Sequence, residues 1–176
     1  MKNEKKVKKA YLIPFTGLKL GIHHFEFEIE DTFFQEFEGS LIDNGTAQVQ
    51  LQFEKLENML QLHLQVKGIY PTLCDRCGDD LDVPVEIEDS FVVKFSDVDE
   101  DTSENIVVLP QKAYELDLAP LIYELFAVAL PPKITHEEGE CNQEALDRLE
   151  EINDFIEEEE DLDPRWNQLK DLKNKD

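Results

Sequence analysis

The chain has 176 residues, of which 41% are hydrophobic, and its formal net charge is -24 at pH 7. This length and apolar content suffice for one hydrophobic core. The strong negative charge disfavours direct nonspecific binding to the phosphate backbone of nucleic acids, because such binding requires clustered lysine and arginine side chains.

The first nine residues form a lysine-rich segment, with five lysines and one acidic residue, Glu4. The apolar run that follows, 10–15, contains Pro14 and is too short for the core of a signal peptide. No later segment approaches the roughly 20 apolar residues that a membrane-spanning helix needs. We therefore expect residues 1–9 to be flexible and the protein to be soluble and cytoplasmic.

Alternation of apolar and polar residues predicts four strands. The alternation covers 25–30, 49–54, 60–67 and 81–95. A period of two places one face of each strand in the core and the other in water, which is typical of an antiparallel sheet. We expect an α+β fold in which such a sheet is covered by a helix.

Turn and capping residues divide the first half of the chain. Asp31 is predicted to cap a short helix that runs through Phe37 and ends before Gly39. Asn44-Gly45 predicts a turn ahead of the second strand, and Glu57-Asn58 predicts the reversal between the second and third strands.

A Cys-x-x-Cys pair, Cys74 and Cys77, lies between the third and fourth predicted strands and is therefore expected at a hairpin tip. Such a pair can be a metal knuckle, a redox disulfide or a turn without further function. In a turn, backbone amides can donate hydrogen bonds to thiolate sulfur, and Gly78 can take a positive φ. Cytoplasmic thiols stay mostly reduced and the chain has an odd number of cysteines, three, so a disulfide framework is disfavoured.

Beyond residue 109 the apolar period changes from two to about 3.6, which predicts the covering helix, Asp117 to Leu130. Asp117 is the expected N-cap, Pro120 is tolerated in the first turn, and Pro131-Pro132 ends the helix. We expect residues 10–141 to form a single α+β domain that contains this helix.

The third cysteine, Cys141, follows His136 after four intervening residues. With Cys74 and Cys77 these residues supply four potential ligands, the number that a closed tetrahedral zinc site requires. Thiolate and imidazole are ligands that zinc prefers. We therefore predict a structural zinc site formed by Cys74, Cys77, His136 and Cys141.

Two alternatives remain open for the cysteines. A thioredoxin-like redox enzyme or sensor would use Cys74 and Cys77, but the cysteine pair of such enzymes lies at a helix N-terminus, and here glycine and a strand-like run follow. Alternatively, the protein is an adaptor whose loop cysteines bind nothing. Hydrolytic zinc catalysis is disfavoured because four protein ligands leave no open position for water. We expect no enzymatic activity.

The C-terminal residues 142–176 are predicted to form an acidic helical extension. Asn142 can cap a first helix, and 137–163 contains 14 acidic residues against one basic residue, Arg148. Asp163-Pro164 predicts the start of a last helix that is a candidate partner-binding element. Its apolar face comprises Trp166, Leu169 and Leu172, and docking on the domain and docking on a partner both remain open.

The chain resembles the YceD family, whose members are called large ribosomal RNA subunit accumulation proteins. The resemblance covers about 70–141 and rests on Cys-Asp-Arg-Cys-Gly at 74–78, on the acidic and apolar helix closing in Ala-Leu-Pro at 129–131, and on the His-x4-Cys pair. The chain departs from the family pattern at Val128, where the pattern has leucine, and at Ile134, where it has a second proline.

The resemblance implies a non-enzymatic factor in ribosome biogenesis that supports accumulation of large-subunit ribosomal RNA. The negative charge of the chain then favours a basic ribosomal protein or a large-subunit precursor particle as the partner. Direct contact with RNA stays open, as does the oligomeric state.

Overall fold

The computed structural model describes residues 10–97 and 105–158, with the backbone alone for 153–158. These residues form two compact units. Unit 1 contains the described residues of 10–72 and 80–134, and unit 2 contains 73–79 and 135–158. The lysine-rich segment 1–9 and the predicted last helix with Trp166, Leu169 and Leu172 lie outside the described residues. The predicted domain boundaries at 10, 141 and 142 stay a prediction.

The main element of unit 1 is a five-stranded sheet in the order β2-β3-β4-β5-β6. Its strands are β2 Gly21–Ile29, β3 Thr46–Lys55, β4 Met59–Leu73, β5 Asp80–Phe95 and β6 Ile106–Leu109. All four predicted strands are present, and β3 pairs antiparallel with both β2 and β4. However, β6 pairs with β5 in parallel, so the expectation of a wholly antiparallel sheet is wrong at this edge. A four-residue apolar run carries no information about strand direction.

One face of the sheet forms the core because the register aligns the apolar phases of neighbouring strands. Leu51 pairs with Leu64, and Phe53 pairs with Leu62; all four side chains are buried. A one-residue shift would move every apolar side chain to the wet face, so this burial fixes the register.

The predicted covering helix is α2, Ala119–Ala129, and its buried Ile122 and Phe126 belong to the same core as the sheet. The helix begins two residues later than predicted because Leu116–Asp117 forms a short strand, β7, paired with β1, Leu12–Ile13. The N-cap residue is Leu118 and not Asp117 as predicted, although the Asp117 carboxylate accepts a hydrogen bond from the Ala119 amide, at 3.0 Å. None of the helices in the described part of the chain is both long enough and apolar enough to cross a membrane.

The short helix α1, Asp31–Phe34, ends one turn earlier than predicted, and Asp31 is not its N-cap. The Asp31 carboxylate instead accepts a hydrogen bond from the Gly45 amide, at 2.9 Å. Gly45, with a φ of +142°, directly precedes β3, but residues 44 and 45 form no hydrogen-bonded turn, so the turn predicted there is wrong. A tertiary contact therefore uses the side chain that local capping rules assign to the helix.

Candidate metal centre

The segment between β4 and β5 is a tight turn that carries the first two cysteines. The Cys74 amide donates to the carbonyl of Asp79 at 2.8 Å, and the Gly78 amide donates to the carbonyl of Cys74 at 2.9 Å. Gly78 has a φ of +79°, which other residues adopt at a steric cost, so the predicted role of this glycine is confirmed. The turn places Cys77 beside Cys74.

The segment between α2 and the next helix carries His136 and Cys141. A turn closed by a hydrogen bond from the Glu140 amide to the Glu137 carbonyl, at 3.1 Å, separates the two residues. Gly139 in this turn has a φ of +90°. The turn reverses the chain between the imidazole and the thiol, so that both belong to one cluster.

Helix α3, Gln143–Glu158, starts directly after this segment, and its predicted N-cap is confirmed. The side-chain oxygen of Asn142 accepts hydrogen bonds from the amides of Glu144 and Ala145, at 3.0 and 3.4 Å. The side-chain amide of Asn142 also donates to Asp79, at 3.1 Å. Asn142 therefore joins the start of α3 to the cysteine turn, a contact that the sequence analysis missed.

The four side chains named from the sequence lie together in unit 2. Their ligand atoms, the sulfurs of Cys74, Cys77 and Cys141 and a ring nitrogen of His136, all lie within 4.8 Å of one another. Cys74 and Cys141 are buried, with 3% and 7% of their surfaces exposed. Among the described residues no other group of three or more His, Cys, Asp or Glu side chains is so arranged.

The distances between these atoms test whether a tetrahedral ion fits. Bond lengths of about 2.3 Å to sulfur and about 2.0 Å to nitrogen imply separations of about 3.8 Å between two sulfurs and about 3.5 Å between sulfur and nitrogen. The sulfurs of Cys74 and Cys141 are 3.9 Å apart. Nδ1 of His136 is 3.4 Å from the sulfur of Cys77 and 4.0 Å from that of Cys141. The donor set therefore fits a zinc ion in spacing as well as in chemistry.

The electrostatics of the cluster favour a thiolate at Cys74. Burial opposes ionisation of this thiol, but hydrogen bonds from the backbone of Cys77, His136 and Arg76 more than offset burial and lower its pKa to about 5. The Arg76 amide lies 3.4 Å from the sulfur. The direction of this pKa shift favours the thiolate, which is the form that binds metals.

Cys141 shows the opposite behaviour. Burial raises the pKa of its thiol, and hydrogen bonding and charge from Cys74 and Cys77 raise it further. Several thiolates in so small a space repel one another, and a divalent cation at the centre would remove this repulsion.

The redox alternative lacks the feature that activates thioredoxin-like cysteines. Cys74 and Cys77 follow one strand and precede another, so neither lies at the N-terminus of a helix. All three cysteines are free thiols. The local structure favours metal ligation over thiol chemistry.

The family model described as "Large ribosomal RNA subunit accumulation protein YceD" matches residues 62–173, more than half of the chain. The matched range includes both cysteine segments, α2 and α3. Neither a curated protein nor a solved structure matches the chain.

Proposed function

The chain belongs to the YceD family and has a role in large-subunit ribosomal RNA accumulation, and we propose that it fulfils this role as a non-enzymatic ribosome-biogenesis factor with a structural zinc site. The convergence of a Cys-x-x-Cys pair and a His-x4-Cys pair is the observation that carries the zinc assignment. We place the protein in the cytoplasm, where ribosomal subunits and reduced thiols are both present.

The zinc site is structural because Cys74, Cys77, His136 and Cys141 supply all four ligands. A catalytic zinc keeps a position open for water or substrate, and a closed tetrahedral set has none. The site instead holds the cysteine turn against the segment that precedes α3. Its function is to fix the start of this helix.

The partner surface is the acidic extension that begins with α3. The sequence of α3 contains seven acidic residues and one basic residue, Arg148, which is itself paired with Glu144. Leu149 and Ile152 lie three residues apart on α3, and both are exposed. The carboxylates around these apolar side chains complement a lysine- and arginine-rich protein surface. The same carboxylates repel phosphate groups. We therefore propose a basic ribosomal protein, free or within a large-subunit precursor particle, as the partner.

Sedimentation of cell extracts tests this function. We expect the protein to co-sediment with large-subunit precursors and a deletion strain to accumulate less large-subunit ribosomal RNA. Replacing Glu150 and Glu151 on α3 by lysine should abolish co-sedimentation, while the same replacement of Glu57 and Glu124, which are exposed in unit 1 and lie outside β2, should not. Absence from every ribosomal fraction, with normal ribosomal RNA in the deletion strain, would contradict the proposal.

Metal analysis of protein purified without chelator tests the zinc site separately. We expect one zinc ion per chain and its loss in Cys74→Ser. Metal-free protein with unchanged stability in Cys74→Ser would instead support the adaptor whose cysteines bind nothing.

A further inference from the structure

Strand β2 forms one edge of the five-stranded sheet. All nine of its residues pair with β3 on one side, and no described strand pairs with it on the other. Proteins usually protect such an edge with proline, lysine, a bulge or a very short strand. β2, with the sequence GIHHFEFEI, contains neither proline nor lysine. A nine-residue edge strand without proline, lysine or a bulge is suited to pairing with another strand.

The contact of Tyr11 with β2 indicates which backbone groups point away from β3. The Tyr11 hydroxyl donates to the Glu28 carbonyl, at 3.3 Å. Alternate residues of a strand direct their amide and carbonyl groups to the same side. The backbone amide and carbonyl groups that point away from β3 are therefore those of Glu28 and of the alternate residues Ile22, His24 and Glu26. Within 10–97 and 105–158, no backbone hydrogen bond from a loop reaches these three residues.

The side chains of this edge form an apolar row and a polar row. Phe25 and Phe27 lie on the core face, half-buried, with stacked rings whose centroids are 6.5 Å apart. His24 and Glu26 lie on the opposite face and are exposed. A strand added here would cover the aromatic rings and meet one imidazole and one carboxylate.

We propose that β2 pairs antiparallel with β2 of a second copy of the chain, about a twofold axis at Phe25. In this register His24 lies opposite the partner's Glu26, and Glu26 lies opposite the partner's His24. Phe25 lies against the partner's Phe25 on the core face. The pairing is isologous and closes at a dimer, with one sheet continuous across both copies.

Charge selects this register over its neighbours. A shift that centres the axis on His24 places two imidazoles opposite each other, and a shift that centres it on Glu26 places two carboxylates opposite each other. Two carboxylates directly opposite each other destabilise a strand pair, whereas an imidazole N–H opposite a carboxylate can donate a hydrogen bond to it. Self-complementarity of the strand therefore favours a second copy over an unrelated peptide.

The net charge of -24 on each copy does not prevent this pairing. Charges farther apart than about 8 Å are largely screened at about 0.15 M salt. In the proposed register each Glu26 carboxylate faces an imidazole of the other copy and not a second carboxylate. The proposal involves unit 1 alone, so its failure leaves the zinc site and the ribosomal partner untouched.

Analytical ultracentrifugation of the full-length, zinc-loaded protein tests the proposal. We expect a concentration-dependent monomer–dimer equilibrium. His24→Glu places a carboxylate opposite the partner's Glu26 twice per dimer and should weaken dimerisation by about tenfold or more. The double variant His24→Glu/Glu26→Lys places lysine opposite glutamate and should restore the dimer. A monomer at every concentration, or a double variant as weak as His24→Glu, would overturn the proposal.

Crosslinking tests the register independently. Phe25→Cys should form an intermolecular disulfide under mild oxidation, because it lies opposite its own copy at a separation that a disulfide can bridge. Phe27→Cys is the matched control, since it lies opposite the partner's His23 and should not crosslink. The protein without an introduced cysteine is the control for crosslinking through the three native cysteines. Circular dichroism checks that both variants fold. Crosslinking at residue 27 but not at residue 25 would refute the register.

Discussion

The two units of the chain are stabilised in different ways. Unit 1 has a continuous apolar core of sheet and helix side chains, including the fully buried Phe34 and Phe126, whose ring centroids are 4.8 Å apart. In unit 2, Cys74 and Cys141 are the only buried residues among the described side chains. Hydrophobic burial can sustain the first unit, whereas the second, under the proposed zinc site, would depend on ligation. The two units should therefore respond to different perturbations.

The largest expected effect is that of removing zinc. Structural zinc sites have apparent binding free energies of about 10–16 kcal/mol in small zinc domains, far more than unit 2 can obtain from burial. Chelation should therefore unfold 73–79 and 135–158 and leave the sheet folded. Hydrogen exchange checks this: α3 amides should lose protection while β3 and β4 amides keep theirs. Equal protection of α3 amides with and without chelator would show that the stability of unit 2 does not depend on zinc.

Replacing one ligand should have the next largest effect. We expect His136→Gln to lower zinc affinity by more than about 100-fold, because an amide cannot replace the imidazole nitrogen. His63→Gln is the matched control, since His63 lies on the sheet and contacts Glu88 and Ser90. Competition with a chromogenic zinc chelator measures both variants, and equal affinities would exclude His136 as a ligand.

A substitution in the sheet should perturb unit 1 and leave the zinc site of unit 2 unchanged. A Cβ atom on Gly68 would lie 2.1 Å from the carbonyl oxygen of Thr46 and 2.7 Å from Cβ of Ala47 on the neighbouring strand. Gly68→Ala should lower the free energy of unfolding by about 2–3 kcal/mol, because the strand pair has to separate. Urea denaturation measures this loss, and zinc content should not change.

Gly17→Ala is the control for this substitution, because a Cβ there meets no atom within 4 Å. It should leave the urea midpoint almost unchanged. A Gly68→Ala variant that lost zinc while its sheet stayed stable would contradict the independence of the two units.

The smallest expected effect concerns the cap of α3. Asn142→Ala removes both the helix cap and the hydrogen bond to Asp79 and should destabilise unit 2 by about 1–2 kcal/mol. Asn142→Ser retains a cap acceptor but loses the donor to Asp79, so it separates the two contributions. Thermal unfolding followed by the helical signal measures both. If Asn142→Ser were as unstable as Asn142→Ala, the contact with Asp79 would account for the whole effect.

Sequence periodicity identified the long strands because eight or more alternating residues leave a clear pattern, as in β4 and β5. It could not identify β1 and β7, since two-residue strands have no period, nor the parallel direction of β6. The shortened helix α1 has a related cause: Asp31 is used in a tertiary contact that local rules do not contain.

For the candidate site, spacing within each pair indicated the residue types and the number of ligands. The proximity of Cys77 and His136, 59 residues apart in sequence, is a tertiary property that only the fold supplies. The contact between Asp79 and Asn142 was missed for the same reason. Binding of zinc, the last helix and the absence of enzymatic activity stay predictions.

The discontinuity of unit 2 has a consequence for the order of folding. Its two segments flank 80–134, so in an unfolded chain the ligands Cys77 and His136 are the ends of a long flexible loop. Closing a loop of that length costs about 4 kcal/mol of chain entropy. Once β5, β6 and α2 have assembled, that entropy is already lost. The sheet should consequently form first and the metal bind late, about a thousandfold more tightly than the unfolded chain would bind it.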